Sequence, residues 1–228
     1  MIHLSVETST EILGVALLDD EHLLGEISLR MVRGASEVLV PALDLLLLGR
    51  EIKVHRIGLV SCSSGPGSYT SLRVGYLFSM GLAQSLGVPL MALSPFETLA
   101  RQYQEASSDA VLAVLNARLG QVTGAFFRRD PVTGSLVPDR DFSPELSCGQ
   151  GPVPVEPSRM ISLLPPGPIR IVGPGRSILD SLISEDRKWI RREGEDLPPQ
   201  PSVQGLLAWE RRNLPVDEVG LVYGRGPV

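Results

Sequence analysis

The chain has 228 residues and a mass of 24.6 kDa, enough for one large domain or two small ones. A formal net charge of -5 and a pI of about 5.3 argue against a chain that grips nucleic acid by itself, which would present a basic face. The short basic clusters at 128–129, 187–188, 191–192 and 211–212 read as solvated surface.

At 43% hydrophobic residues the chain can bury a substantial core. No basic stretch leads into a long apolar segment at the N-terminus, and the apolar runs fall short of the ~20 residues that a membrane span needs. These features predict a soluble cytoplasmic protein with no membrane contact. The two cysteines, Cys62 and Cys148, have no metal-like spacing, and Cys62 sits in an apolar run as a small core residue.

The opening reads as a three-stranded meander, IHLSVE, ILGVALLDD and HLLGEISLR, broken by ETST and DDEH. ASEVLVPALDLLLLGRE follows as a helix, with Ser36 as the predicted N-cap and Gly49 as its stop. Residues 56–63 form a buried strand that runs into the tight loop Ser64-Gly-Pro-Gly-Ser68. The next helix spans residues 70–86 and ends at Gly87. PLMAL is a further strand, and SPFE is a capping box that starts a helix through Tyr103.

In the second half VLAVLNAR and QVTGAFFRR form a hairpin. Residues 130–168 hold nine of the nineteen prolines, which predicts loop with short strand fragments. IRIVGPGRS leads a strand into a second glycine turn, ILDSLIS is a short helix, and a last helix covers about 202–213. The composition shift near 101–109 divides the chain into an N-terminal subdomain, 1–103, and a C-terminal one, 104–228, with the last helix packing back on the first.

A strand, a glycine loop and a helix start is a geometry that can cradle phosphate. Yet the chain has no Gly-Lys dipeptide for a Walker loop, and Thr70 stands where GxGxxG needs its last glycine. The loop therefore reads either as a phosphate contact or as a turn that needs glycine backbone angles. Glu7, before Thr8, Ser9 and Thr10, is either an acid that holds a metal-bound water or a cap of its own turn. The histidines are isolated, no GxSxG elbow occurs, and aromatic content is 5%, so metal, nucleophile and base-stacking chemistry lack support.

The charge pattern says more. Between Arg56 and Glu97 the one charged side chain is Arg73, and between Val38 and Leu48 the one is Asp44. An ordinary surface helix keeps a charged face towards water. Val74, Leu77, Phe78 and Leu82 are read as the sheet-facing side of the second helix, and Leu72, Tyr76, Met80 and Ala83 as its other side. Gly75, Ser79 and Ala83 form a small-residue stripe that admits a close backbone. Either a second protein covers these helices or a second layer of the same chain does.

Taken in order and spacing, LSVETSTEILGVALLDD, GASEVLVPALDLLL, SSGPGSYTSLRVGYLFSMGLAQSLGVPLMALSPFETLA, VLNARLGQVTGAFF, VGPG and VYGRGP resemble the TsaB (YeaZ) family of tRNA threonylcarbamoyladenosine biosynthesis proteins. The resemblance covers most of the chain. It implies an α/β, ASKHA-type fold of two subdomains, like acetate kinase, hsp70 and actin. It also implies a non-catalytic scaffold that pairs with the catalytic subunit TsaD through N-terminal helices. With the ATPase TsaE, that complex transfers a threonylcarbamoyl group to the adenosine beside a tRNA anticodon.

On this reading the interface is Leu39, Leu43, Leu46, Leu72, Tyr76, Met80 and Ala83, and a vestigial nucleotide site comprises Glu7, Ser9, Gly65, Gly67 and Ser68. No cofactor is expected on this chain; ATP and metal belong to the partner subunits, and tRNA is met through the complex. A homodimer through the same face is expected without a partner. Glu7, Ala35, Ser71 and Asn116 depart from the family's usual aspartate, histidine, glycine and aspartate, which weakens any working nucleotide site. The remaining alternatives are a stand-alone ASKHA-type ATP-binding kinase and a glycoprotease-like hydrolase.

Overall fold

Strands β1 (Ile2–Glu7), β2 (Ile12–Asp19) and β3 (His22–Arg30) open the chain as an antiparallel meander. Alternation along β1 sends Leu4 and Val6 into an apolar cluster, while His3 and Ser5 occupy the opposite face. The computed structural model describes residues 1–32, 34–104, 109–117, 119–139, 142–146, 152–183, 190–191 and 196–214. Cys148 and the VYGRGP segment, singled out in the sequence, lie outside the described residues.

Helix α1 (Ala35–Gly49) crosses to β4 (Ile57–Ser63), which lies parallel to β1. Ser36 does not cap α1: Gly34 holds the N-cap position with no side-chain hydrogen bond, and Ser36 is already helical. After the glycine loop, α2 (Tyr69–Leu86) ends where Gly87 turns left-handed at φ 66° and donates to the carbonyls of Ala83 and Gln84. Strand β5 (Leu90–Leu93) and α3 (Pro95–Gln102) follow. Ser94 Oγ caps α3 by accepting from the Phe96 amide at 3.3 Å, and Pro95 takes the first helical position, where a missing N–H is harmless.

The resulting sheet has the order β3-β2-β1-β4-β5. Helices α1 and α2 cover one face and touch each other. Helix α6 (Pro201–Arg211) covers the other face. The fit of α6 is specific. Pro201 packs on Gly14, where an added Cβ would lie 2.7 Å from the proline ring. Buried Gln204 donates from Nε2 to Ser5 Oγ at 2.9 Å and to the Val6 carbonyl at 3.1 Å. Trp209 stacks on His3 with ring centroids 5.6 Å apart, and Arg211 pairs with Glu97 at 3.0 Å. Met1–Thr98 and the described residues from Pro199 onward therefore form one unit, and Leu99–Pro198 form another.

The second unit repeats the strand logic of the first. Strands β6 (Ala110–Asn116) and β7 (Val122–Arg129) form the hairpin, β8 (Leu136–Pro138) extends it, and β9 (Ile169–Val172) runs parallel to β6. With β10 (Ile190–Arg191) the order is β10-β9-β6-β7-β8. A Gly173-Pro174-Gly175 turn then leads into α5 (Arg176–Asp180), as Gly65-Pro66-Gly67 leads into α2. The described part of the proline-rich stretch departs from the expected loop with strand fragments. It holds a helix, α4 (Pro157–Leu163), which starts on Pro157 and buries Met160 and Ile161 against Leu112, Val114 and Phe126. Proline at a first helical position begins a helix rather than breaking one.

Candidate functional site

The predicted loop residues come together in one joint at the end of β1. Glu7 closes its own turn: the Ser9 amide donates to Glu7 Oε1 at 2.6 Å. The Thr8 amide donates to Ser63 Oγ at 3.1 Å, tying the turn to the end of β4. From the glycine loop, the Ser68 amide donates to the Ser9 carbonyl at 2.8 Å. Gly65 has φ 91° and is followed by a cis peptide bond to Pro66. A side chain at Gly67 would overlap the Ser9 carbonyl, and one at Gly75 on α2 would overlap the Thr8 hydroxyl. The loop and α2 thus dock directly onto the Thr8-Ser9 turn.

This geometry bears on nucleotide binding. The Ser9 backbone lies directly against Gly67, and the Ser68 N–H is already spent on Ser9. Glu7 is 1% exposed, and its Oε2 has no hydrogen-bond partner. Burial pushes its carboxyl up to about 7, against hydrogen bonds from Ser9 and Ser63 that pull it down. Among the described residues no cluster of three or more His, Cys, Asp or Glu side chains could hold a metal ion. Asn116 ends β6 exposed, whereas Ser71 and Ala35 are buried in helices.

The residues expected to meet a partner divide in two. Leu39, Leu43, Leu46, Leu72 and Ala83 are 8% exposed or less and belong to the unit's own core. Tyr76 is half-buried against that core, and Met80 is 40% exposed. The faces of α2 differ from the sequence reading at three positions: Leu72 and Ala83 turn inward with Gly75 and Ser79, and Leu77 turns out, while Val74, Phe78 and Leu82 pack against the core as expected. What the small-residue stripe admits at Gly75 is the side chain of this chain's own Thr8.

What α1 and α2 expose is nevertheless apolar. Val40, Leu45 and Leu48 stand out from α1, and Tyr69, Leu77 and Met80 from α2. The charged residues of the two helices are Glu37, Asp44 and Arg73, and Arg73 Nη1 donates to the Tyr69 hydroxyl at 2.9 Å. Leu45, Leu48 and Leu77 escaped the sequence reading. In DLLLLG neighbouring positions are alike, so only the sheet's position says which leucine faces inward.

Two mixed sheets, each with a glycine-proline-glycine turn ahead of a helix, define an ASKHA-type α/β protein. The same fold is seen in the Clostridium difficile activator of 2-hydroxyisocaproyl-CoA dehydratase, at TM-score 0.51 and 9% identity over 92% of this chain and 95% of that one. A Pseudomonas aeruginosa protein with similarity to peptidase YeaZ shares it more closely. The TM-score is 0.74 and the identity 22%, over 98% of this chain and 99% of that one. The family model for TsaD, tRNA N6-adenosine threonylcarbamoyltransferase, matches residues 27–138. The tRNA threonylcarbamoyladenosine biosynthesis protein TsaB of Bacillus subtilis is 31% identical over 142 residues, which span 62% of this chain and 62% of that relative. These matches make the chain similar to TsaB proteins, and it spans about half to three fifths of the length of the curated relatives it matches. Among the described residues no helix is long and apolar enough to cross a membrane.

Proposed function

We propose that this chain is a non-catalytic scaffold subunit in threonylcarbamoyl modification of tRNA, acting by binding the catalytic subunit TsaD together with the ATPase TsaE. The observation that carries the reading is the exposed apolar face of α1 and α2. Large aliphatic side chains stand there in water with few charges between them, on a domain whose core is already complete. The relatives' names supply the pathway. TsaD is the enzyme whose family model overlaps this chain. On this reading chemistry resides in the partner, and the closed glycine loop anchors α2 rather than holding a nucleotide.

The test is size-exclusion chromatography with light scattering on this chain and the TsaD of the same organism, alone and mixed. A heterodimer-mass species supports the reading. Separate elution, with TsaE and ATP present as well, overturns it.

A further inference from the structure

Glu7 is the one buried acid of the first unit for which the described residues offer no cation. Its Oε1 accepts from the Ser9 amide, its Oε2 is unpartnered, and it is almost fully buried. It also sits at the mechanical joint of the unit. The turn it closes, Thr8-Ser9, is where β4 attaches through Ser63, where the glycine loop attaches through Ser68, and where α2 packs through Gly75. Nothing else in the scaffold reading uses this carboxyl.

We propose that Glu7 is a pH-responsive latch: in its neutral form it holds the Thr8-Ser9 turn closed on the glycine loop and α2, and its ionisation loosens that joint.

The physical reason is the cost of an unpaired buried charge. A neutral carboxyl leaves a weakly polar oxygen without a partner, whereas a carboxylate there needs water or a cation. To hydrate Oε2 the packed turn must open, and the Ser9 carbonyl of that turn is the group that the Ser68 amide holds at 2.8 Å. The surroundings offset the charge only in part: the Ser9 amide and the Ser63 hydroxyl favour the carboxylate, while α6 brings only the uncharged Pro201 against Gly14 and Gln204 against the Val6 carbonyl. From β4 the facing titratable group is Cys62, whose thiol is pushed up to about 12 by burial and by Glu7 itself, and Ser63 offers a hydroxyl. From β2 the cross-strand neighbour is Gly14. From α2 the neighbour of the turn is Gly75, and the helix's one charge, Arg73, is exposed and engaged with Tyr69.

The sign follows from linkage. Glu7 titrates higher in the fold, at about 7, than the ordinary 4.5. The stability it contributes is complete below about 4.5 and is lost as pH rises towards and through about 7. The joint is therefore tightest in mild acid and loosens across the neutral range.

The experiment is amide hydrogen exchange on the purified chain at pH 5.5 and 8, corrected for the intrinsic base-catalysed rate, for the wild type and Glu7→Gln. Ser9 and Ser68 report on the joint, and Val60, bonded to the Pro89 carbonyl, is the control. The expected result is a wild-type loss of protection at Ser9 and Ser68 of roughly tenfold or more, larger than at Val60 and absent in Glu7→Gln. Equal changes at all three amides, or the same change in Glu7→Gln, overturn the latch. Should Glu7→Gln not fold, the carboxyl carbon-13 shift of Glu7 in the wild type decides: a midpoint near 7 supports the latch, and one below 5 overturns it. None of these readouts involves a partner, so the outcome is separate from the scaffold reading.

Discussion

Gly67 stands against the carbonyl of Ser9 with no room for a methyl group between them. The contact fixes how the glycine loop meets the first strand pair. Gly67→Ala must displace either the loop or the turn, and overpacking of this kind costs about 1–3 kcal/mol. The melting temperature should fall by roughly 2–12 °C for a chain of this size. Gly81 on α2 is the control, because an added Cβ there meets nothing within 4 Å. Gly81→Ala should stabilise by about 0.5–1 kcal/mol through helix propensity. Calorimetry on the two variants checks both signs.

The exposed face of α2 gives a sharper test of partner binding than its buried face. Leu77→Glu and Met80→Glu change residues that are 52% and 40% exposed, so stability should move by no more than about 0.5 kcal/mol. Affinity for TsaD should fall by about 1–2 kcal/mol for each variant, readable by titration calorimetry. Ala83→Arg behaves differently. Ala83 is 3% exposed and contacts the core, so an arginine there costs several kcal/mol and unfolds the unit before it reports on pairing. Denaturant melts separate the two classes.

Helix α6 is held to the sheet by a polar contact inside an otherwise apolar seam. Gln204→Leu removes the donor that Ser5 Oγ and the Val6 carbonyl share, leaving buried acceptors unsatisfied. The expected loss is about 1–3 kcal/mol. In the double variant with Ser5→Ala the loss should be smaller than the sum of the singles, because one unsatisfied group has been removed. A urea-unfolding cycle measures this coupling.

His3 titrates in the sense opposite to Glu7. Burial lowers its pKa, although the Asp20 carbonyl, 2.7 Å from Nε2, pulls the other way. The folded state then binds a proton less readily than the unfolded chain. The stability His3 contributes is present above about 6.5, the ordinary imidazole value, and is lost as pH falls below it. The wild type should lose more stability between pH 7.5 and 5 than His3→Phe, which keeps a ring against Trp209. Equal losses in urea melts at the two pH values would contradict the assignment.

The strands, the principal helices and the tight loop are legible because each is signalled by its own residues. Gly87 stops α2 in a left-handed turn, and Ser94 with Pro95 starts α3. The near absence of charge from Ile57 to Phe96 coincides with α2, on which Tyr69, Leu77 and Met80 are exposed. What sequence could not decide is direction. Leu72 and Leu77 are equally apolar, and only the sheet's position turns one in and the other out. The partners of the glycines were hidden for a related reason. Gly67 meets Ser9 and Gly75 meets Thr8 across more than fifty positions of chain, and no local pattern encodes such contacts. Helix α4 was missed because its flanking prolines read as breakers when Pro157 is in fact its start.

The placement of α6 sets an order of events on the ribosome. The first unit spans Met1–Thr98, yet the helix covering one face of its sheet arrives only after Leu99–Pro198 have been made. At about 5–20 residues per second that interval lasts roughly 5–20 s. Throughout it the nascent sheet lacks the cover for Leu59, Met91 and Leu93, which pack on Leu207 and Ala208 in the finished protein. The described residues of the second unit are all made within this interval, so the last described helix completes the first domain to be synthesised. Truncation ahead of Pro201 should therefore yield an aggregating chain rather than a smaller soluble protein.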